Sequence, residues 1–190
     1  MGPTTVTDVA RERPPATTQQ AKALSHPMRL RILRLCQERA WSNAQLAQRL
    51  GYDPSTLLYH ARLLVEAGFL EQGEPRRGVS GAIEKPYRAT GRSWDLDIKG
   101  DETVYSAILR AFLDELQEAG PTALEDASRF VLHLDTDERR AFRRRLQEVL
   151  DDYQSTDAER QRQGRPPVGG LLALHRVPPE TEAREGRAPT

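Results

Sequence analysis

From Pro27 to Gly68 the apolar positions recur at helical spacing in three bursts, separated by polar residues and one glycine. In "PMRLRILRLCQE", Met28, Ile32, Leu35 and Cys36 fall at i, i+4, i+7 and i+8, which predicts a core helix opening at Pro27. In "WSNAQLAQRLGYDPST", Ser42 or Asn43 caps a short helix that turns Leu46, Ala47 and Leu50 inward, and Gly51 ends it. Asp53 then caps a third helix with Pro54 at its first position, and Leu57, Leu58, Ala61, Leu64 and Val65 form its apolar stripe. Two helices joined by a tight glycine-containing turn make a helix-turn-helix unit. The third helix carries Ser55, Thr56, Tyr59, His60 and Arg62 off its stripe, crowded toward its N-terminal end. That end of a recognition helix enters the major groove, and hydroxyls and arginine can address base edges or phosphates there.

Past Gly68 the pattern changes. "FLEQGEP", "RRGVSGA" and "IEKPYRAT" read as strand, loop and strand, a hairpin with Arg76 and Arg77 at its tip and Lys85 and Arg88 on its return. Pro86 suits that return strand to an edge. A basic hairpin directly after a helix-turn-helix is a wing able to reach phosphates or the minor groove. From Asp101 to Ala119, Val104, Ile108, Ala111, Phe112 and Leu116 form another helical stripe, stopped by Gly120-Pro121. Val104, Ile108, Phe112 and Leu116 are the expected dimer contacts. "SRFVLHLD" then reads as a strand, "TDERRAFRRRLQEVLDDYQ" as a helix facing inward through Phe142, Leu146, Val149, Leu150 and Tyr153, and "VGGLLALHRV" as a strand. Strand, helix and strand suit a right-handed crossover. The expected fold is therefore α+β: a disordered arm over 1–16, a winged helix-turn-helix DNA-binding domain over 17–92, a small α/β dimerisation or effector region over 93–177, and a disordered tail over 178–190.

Charge sharpens this division. The 190 residues carry 28 basic and 28 acidic side chains, so no whole-chain argument for a polyanion exists. Residues 21–92, however, hold twelve Lys and Arg against six acids, and everything beyond holds fourteen against twenty. A basic half joined to an acidic half implies two tasks, one compatible with nucleic acid. Arg139, Arg140, Arg143, Arg144 and Arg145 are either solvated and paired with Asp137 or Glu148, or a second anion contact. The lone Cys36 excludes an internal disulfide and reads as a small buried hydrophobe. No apolar run reaches a membrane span, and Asp8 and Glu12 stand where a signal peptide would need apolar residues, so a cytoplasmic protein is expected, with no membrane partner.

The segments "ALSHPMRLRILRLC", "NAQLAQRLGYDPSTLLYHARLLVEAGFLEQG" and "EKPYRAT" together resemble the winged-helix domain of ArsR-like bacterial transcription regulators, over about residues 20–90. The resemblance implies that Ser55, Thr56, Tyr59, His60 and Arg62 occupy recognition-helix positions, with Arg76, Arg77 and Lys85 on the wing. It also implies a homodimer that represses by covering a promoter. Leu58 and Ala61 depart from the family, whose members carry a small polar residue and a leucine there. Metal-sensing members use a Cys-x-Cys-type pair or histidine and acidic ligands. Here Cys36 is alone and His26, His60, His133 and His175 show no paired spacing, so no metal is expected.

The histidines have local readings instead. His26 caps or packs at the helix start, and His60 either meets phosphate or makes a buried hydrogen bond. His133 and His175 lie packed or at the rim of strand-like runs. No nucleophile motif, phosphate-cradling loop or metal-ligand cluster is present, and Gly169-Gly170 is no nucleotide fingerprint, so neither an enzyme nor a cofactor is expected. Double-stranded DNA is the expected partner, with an unknown small-molecule effector possible at the acidic half. The alternative is a winged helix serving as a protein-interaction module without DNA binding.

Overall fold

The computed structural model describes residues 13–78, 81–94, 96–98 and 100–177. The expected tail, and the arm up to residue 12, lie outside the described residues. Residues 13–16 do not behave as a free arm: the Ala16 N–H donates to the Asp97 carbonyl at 3.0 Å and the Asp97 N–H to the Pro14 carbonyl at 2.9 Å.

Four helices build the first unit: α1 (Thr18–Leu24), α2 (Pro27–Glu38), α3 (Asn43–Leu50) and α4 (Pro54–Glu66). α1 is not among the helices expected from the apolar pattern, although Thr17 and Gln20 close a capping box at its start. The other starts follow the sequence. Pro27 and Pro54 take first-turn positions, and Ser42 caps α3 in a capping box with Gln45. Gly51 ends α3 at φ +72°, a left-handed conformation open to glycine without a Cβ penalty. Asn43 Nδ2 donates to the Pro54 carbonyl at 2.8 Å and ties the start of α3 to the start of α4.

Ile32, Cys36, Leu46, Leu57, Ala61, Leu64 and Phe69 meet in one buried core. Cys36 is fully buried within it, and burial pushes its thiol up to about 12, so it acts as a hydrophobe. On α2 the deeper aliphatic position is Leu33, with Leu35 only partly covered. Two arginines of α2 are buried as well. Arg29 donates to the carbonyls of Ala23 at 2.5 Å and Lys22 at 2.6 Å, placing a cation at the C-terminal end of α1, where the Lys22 carbonyl also accepts from Ser25 Oγ at 2.8 Å. Arg31 pairs with Glu118.

The hairpin has two antiparallel ladders. β1 (Leu70–Gln72) pairs with β4 (Tyr87–Ala89), Glu71 opposite Arg88, and β2 (Arg76–Arg77) pairs with β3 (Ile83–Glu84), Arg76 opposite Glu84. Arg76 and Arg77 are thus strand residues just below the tip. The return strand is no free edge at Tyr87, because Trp41 exchanges both backbone hydrogen bonds with it, at 3.0 and 2.7 Å.

α5 (Glu102–Ala119), capped by Asp101, changes the expected division of the chain. Its Val104 is 0% exposed in the same core as α2 and α4, and Leu96, Ile98 and Ile108 pack against that core. A side chain without exposed surface offers nothing to a second copy, so Val104 is not a dimer contact. Replacing Val104 by alanine is expected to cost about 2 kcal/mol, the methyls removed plus the cavity left. Urea unfolding of the first unit measures it.

Beyond α5 the expected crossover unit does not form. α6 (Thr136–Ser155) and a short α7 (Asp157–Arg162) are present, but 128–135 and 168–177 carry no strand. A strand requires a neighbour for its N–H and C=O groups, and each apolar run lies without one. Phe130, Val131 and Leu132 are accordingly exposed, and Val149, Leu150 and Tyr153 of the supposed inward stripe of α6 are exposed too. His133 and His175 are likewise exposed. The arginine-rich turns of α6 do pair locally, Arg140 with Asp137 at 2.7 Å and Arg144 with Glu148 at 3.6 Å.

Candidate nucleic-acid interface

α4 owes its placement to its two ends. Leu57, Ala61 and Leu64 fix it on the core, while Ser55, Thr56, Tyr59 and Arg62 stay exposed, Tyr59 at 61%. Four of the five expected recognition-helix residues therefore share one exposed face. Ser55 is constrained: its Oγ donates to Asp53 Oδ1 at 2.5 Å, so only its lone pairs remain for a ligand. The same carboxylate accepts the Ser55 N–H at 2.8 Å, and these hydrogen bonds hold Asp53 below the usual carboxylate range. The positive end of the helix is thereby already taken by a carboxylate, so anion capture at the helix start is not what this end offers.

His60 does not share that face. It is only 8% exposed, and its ring centroid stands 4.6 Å from that of His26. The expected phosphate contact would have to be made by a ring that this burial withdraws from the exposed row. No hydrogen bond replaces it at Nδ1, which is buried without a partner among the described residues. The reason is helical phase: one position past Tyr59, the side chain swings off the exposed row into the seam between α4 and the start of α2. His26 is the α2 cap, its Nδ1 accepting the Met28 N–H at 3.2 Å, which leaves the neutral ring's proton on Nε2. Burial and then the neighbouring His26 and Arg29 push His60 down to about 4, and burial followed by Arg29 lowers His26. Sequence spacing carries no sign of this pair, since 34 positions separate the two rings. No group of three or more potential metal ligands gathers among the described residues.

The wing supplies the second part of the face. Arg76, Arg77, Lys85 and Arg88 are all exposed. Arg39 joins them, a residue that no sequence signal marks because it lies just beyond α2. Its guanidinium sits 3.9 Å from the centre of the Trp41 ring, and with Gln45, Arg76, Arg77 and Glu84 it lines an open cleft of about 540 Å³.

Electrostatic asymmetry follows from which arginines are neutralised. Glu118 of α5 pairs with Arg31 of α2 and lies 3.4 Å from Arg49 of α3, and Glu115 lies 3.1 Å from Arg34. Burial raises the Glu115 carboxyl while Arg34 and Arg31 oppose the shift. No ion pair engages Arg62, Arg76, Arg77, Lys85 or Arg88 among the described residues. The acidic helix thus neutralises arginines of α2 and α3 and pairs with none of the exposed α4 and wing cations, which have Glu71 and Glu84 as cross-strand neighbours of Arg88 and Arg76.

Three core helices, the last presenting a polar N-terminal face, followed by a basic two-ladder hairpin, define a winged helix-turn-helix unit. Residues 24–73 match the family model of a helix-turn-helix domain, a span that runs from the last residue of α1 to just past β1. No curated protein matches the chain. Among the described residues no helix is long and apolar enough to cross a membrane.

Proposed function

We propose that this protein is a sequence-specific, double-stranded DNA-binding transcription regulator of ArsR-like type, acting as a homodimeric repressor that covers its promoter. The observation that carries the reading is the exposed surface spanning two elements, with Tyr59 and Arg62 of α4 on one and the cations Arg76, Arg77 and Lys85 of the wing on the other. Tyr59, Arg62 and Thr56 are the proposed base readers, with Ser55 accepting only. The wing arginines, Lys85 and Arg39 are proposed for phosphates, which position a protein without reading sequence. A helix-turn-helix dimer spaces two recognition helices about one helical turn apart and so selects a partly palindromic site. On α5, Tyr105, Leu109 and Leu113 are exposed at i, i+4 and i+8, a better surface for a second copy than the Val104 row. Ile108, Phe112 and Leu116 are half-buried and border it. The division of labour accordingly moves from about residue 92 to the end of α5.

The wing gives a test specific to its role. Arg76→Ala with Arg77→Ala is expected to weaken binding to selected and unselected duplexes alike. The dependence of log affinity on log salt should flatten by about 0.9 for each phosphate that the variant no longer neutralises. Fluorescence anisotropy across a salt series measures it, and an unchanged slope would remove the wing from the interface.

A further inference from the structure

Between the α2–α3 link and the wing, Arg39, Gln45, Arg76, Arg77 and Glu84 line the cleft of about 540 Å³. That volume suits a small molecule better than a lone ion. Its walls are anchored. Arg39 lies over Trp41, whose Nε1 donates to the Leu35 carbonyl at 2.9 Å and whose backbone pairs with Tyr87 of β4. Gln45 accepts the Ser42 N–H at 2.9 Å through Oε1, which leaves its Nε2 to donate. Glu84 is half-buried, and its carboxyl carbon lies 2.5 Å from where a Cβ on residue 78 would stand, so Gly78 is what gives this carboxylate room. No ion pair engages Arg39, Arg76, Arg77 or Glu84 among the described residues, although all four line the one cleft. Charges of both signs therefore face it unneutralised.

We propose that this cleft is an effector site for a guanine nucleoside monophosphate, its phosphate toward Arg39, Arg76 and Arg77 and its base edge toward Glu84. Three guanidiniums against one carboxylate leave the cleft with two positive charges, and a phosphomonoester carries about −1.5 to −2 at neutral pH. Arginine meets phosphate oxygens through paired, charge-assisted N–H bonds. Glu84 repels a phosphate but accepts N–H donors, and the guanine edge offers adjacent donors that match its two oxygens. Adenine sets a ring acceptor beside its amino donor, so it matches less well. A duplex backbone supplies phosphates alone and finds the carboxylate repulsive. The nucleotide would occupy wing cations that a duplex also uses, so the two exclude one another; this consequence rests on the DNA-binding reading, whereas the site itself does not.

Isothermal titration calorimetry of the full chain with guanosine monophosphate, at constant ionic strength and without DNA, tests the site. The wild type is expected to bind it about tenfold or more tightly than adenosine monophosphate, guanosine or inorganic phosphate, because each of these leaves part of the cleft unmatched. Glu84→Gln should erase the preference for guanine over adenine while inorganic phosphate binds no more weakly. The same variant should hold duplex DNA at least as tightly as wild type, since it removes a repelling charge. In an anisotropy competition, guanosine monophosphate should displace duplex from the wild type at concentrations that leave the Glu84→Gln complex intact. Absence of binding at millimolar nucleotide, equal binding of the guanine and adenine nucleotides, or a Glu84→Gln chain that keeps the preference would overturn the site and leave the DNA-binding reading standing. A wild type that binds the nucleotide as described but no duplex would keep the site and overturn that reading instead.

Discussion

Replacing Tyr59 and Arg62 together by alanine is expected to remove sequence-specific binding while leaving the fold intact. Both side chains are exposed on α4, away from Leu57, Ala61 and Leu64, so the core is untouched. Tyr59 gives up its edge-on approach to His60, with ring centroids 5.4 Å apart, and its electrostatic interaction with Arg29. Each base that goes unread should cost about 1–3 kcal/mol of discrimination, about tenfold in affinity for every 1.4 kcal/mol. Binding to unselected duplex should fall much less, since the wing cations are untouched and contacts to phosphate carry no sequence information. Anisotropy on a selected and a scrambled duplex separates the two effects. A folded double variant that still prefers the selected site as strongly as wild type would mean that α4 is not the reader.

The second large effect is acid sensitivity of the first unit, centred on His26 and His60. Burial holds His60 at about 4 in the fold, against about 6.5 for an unfolded histidine. Between those values the unfolded chain binds the proton that the folded chain refuses, so stability rises with pH across this window. Its contribution is whole above about pH 6.5 and is lost as the pH falls toward 4, by about 2 kcal/mol at pH 5 and on the order of 3 kcal/mol at pH 4. His26 acts in the same direction, because protonating Nδ1 would end its acceptance of the Met28 N–H at the head of α2. Glu115 works against the trend: its carboxyl is raised in the fold, so it adds stability on acidification. Asp53, lowered by Ser55, adds its own loss only at more acid pH. Urea melts at about pH 7.5 and pH 5 should differ by the His60 contribution. His60→Leu should remove most of that difference, and an unchanged difference would place the acid sensitivity elsewhere. Since the pair lies directly beneath the reading face, DNA affinity at constant salt should decline in the same window as α4 loosens.

How much of this is legible in the sequence depends on whether a signal is local. Caps, prolines and Gly51 are decided within one turn of helix, so α2, α3 and α4 begin where Pro27, Ser42 and Asp53 indicate. The hairpin follows from the change of period after Gly68, but its register does not, since Arg76 and Arg77 read as tip residues and lie in β2 opposite Glu84 and Ile83. What escapes depends on distant partners. Arg29 and Arg31 look like surface cations in sequence, yet one caps α1 and the other meets Glu118 across 87 positions. His60 looks like part of the exposed row because helical phase leaves its position at the border, and only the seam with His26 decides its side. The runs at 128–135 and 168–177 have strand-like composition, but no ladder partner lies beside them among the described residues. Val104 shows the same limit from the other direction, since an apolar stripe states that it must be covered and leaves open by what.

The most direct test of the central claim is selection of sequences bound by the full chain from a random duplex pool, followed by a salt titration on the enriched duplex. The account predicts enrichment of a partly palindromic site with half-sites about one helical turn apart, together with affinity that falls steeply as salt rises. No enrichment, with duplex binding absent or indifferent to salt, would contradict it and favour a winged helix that contacts protein instead.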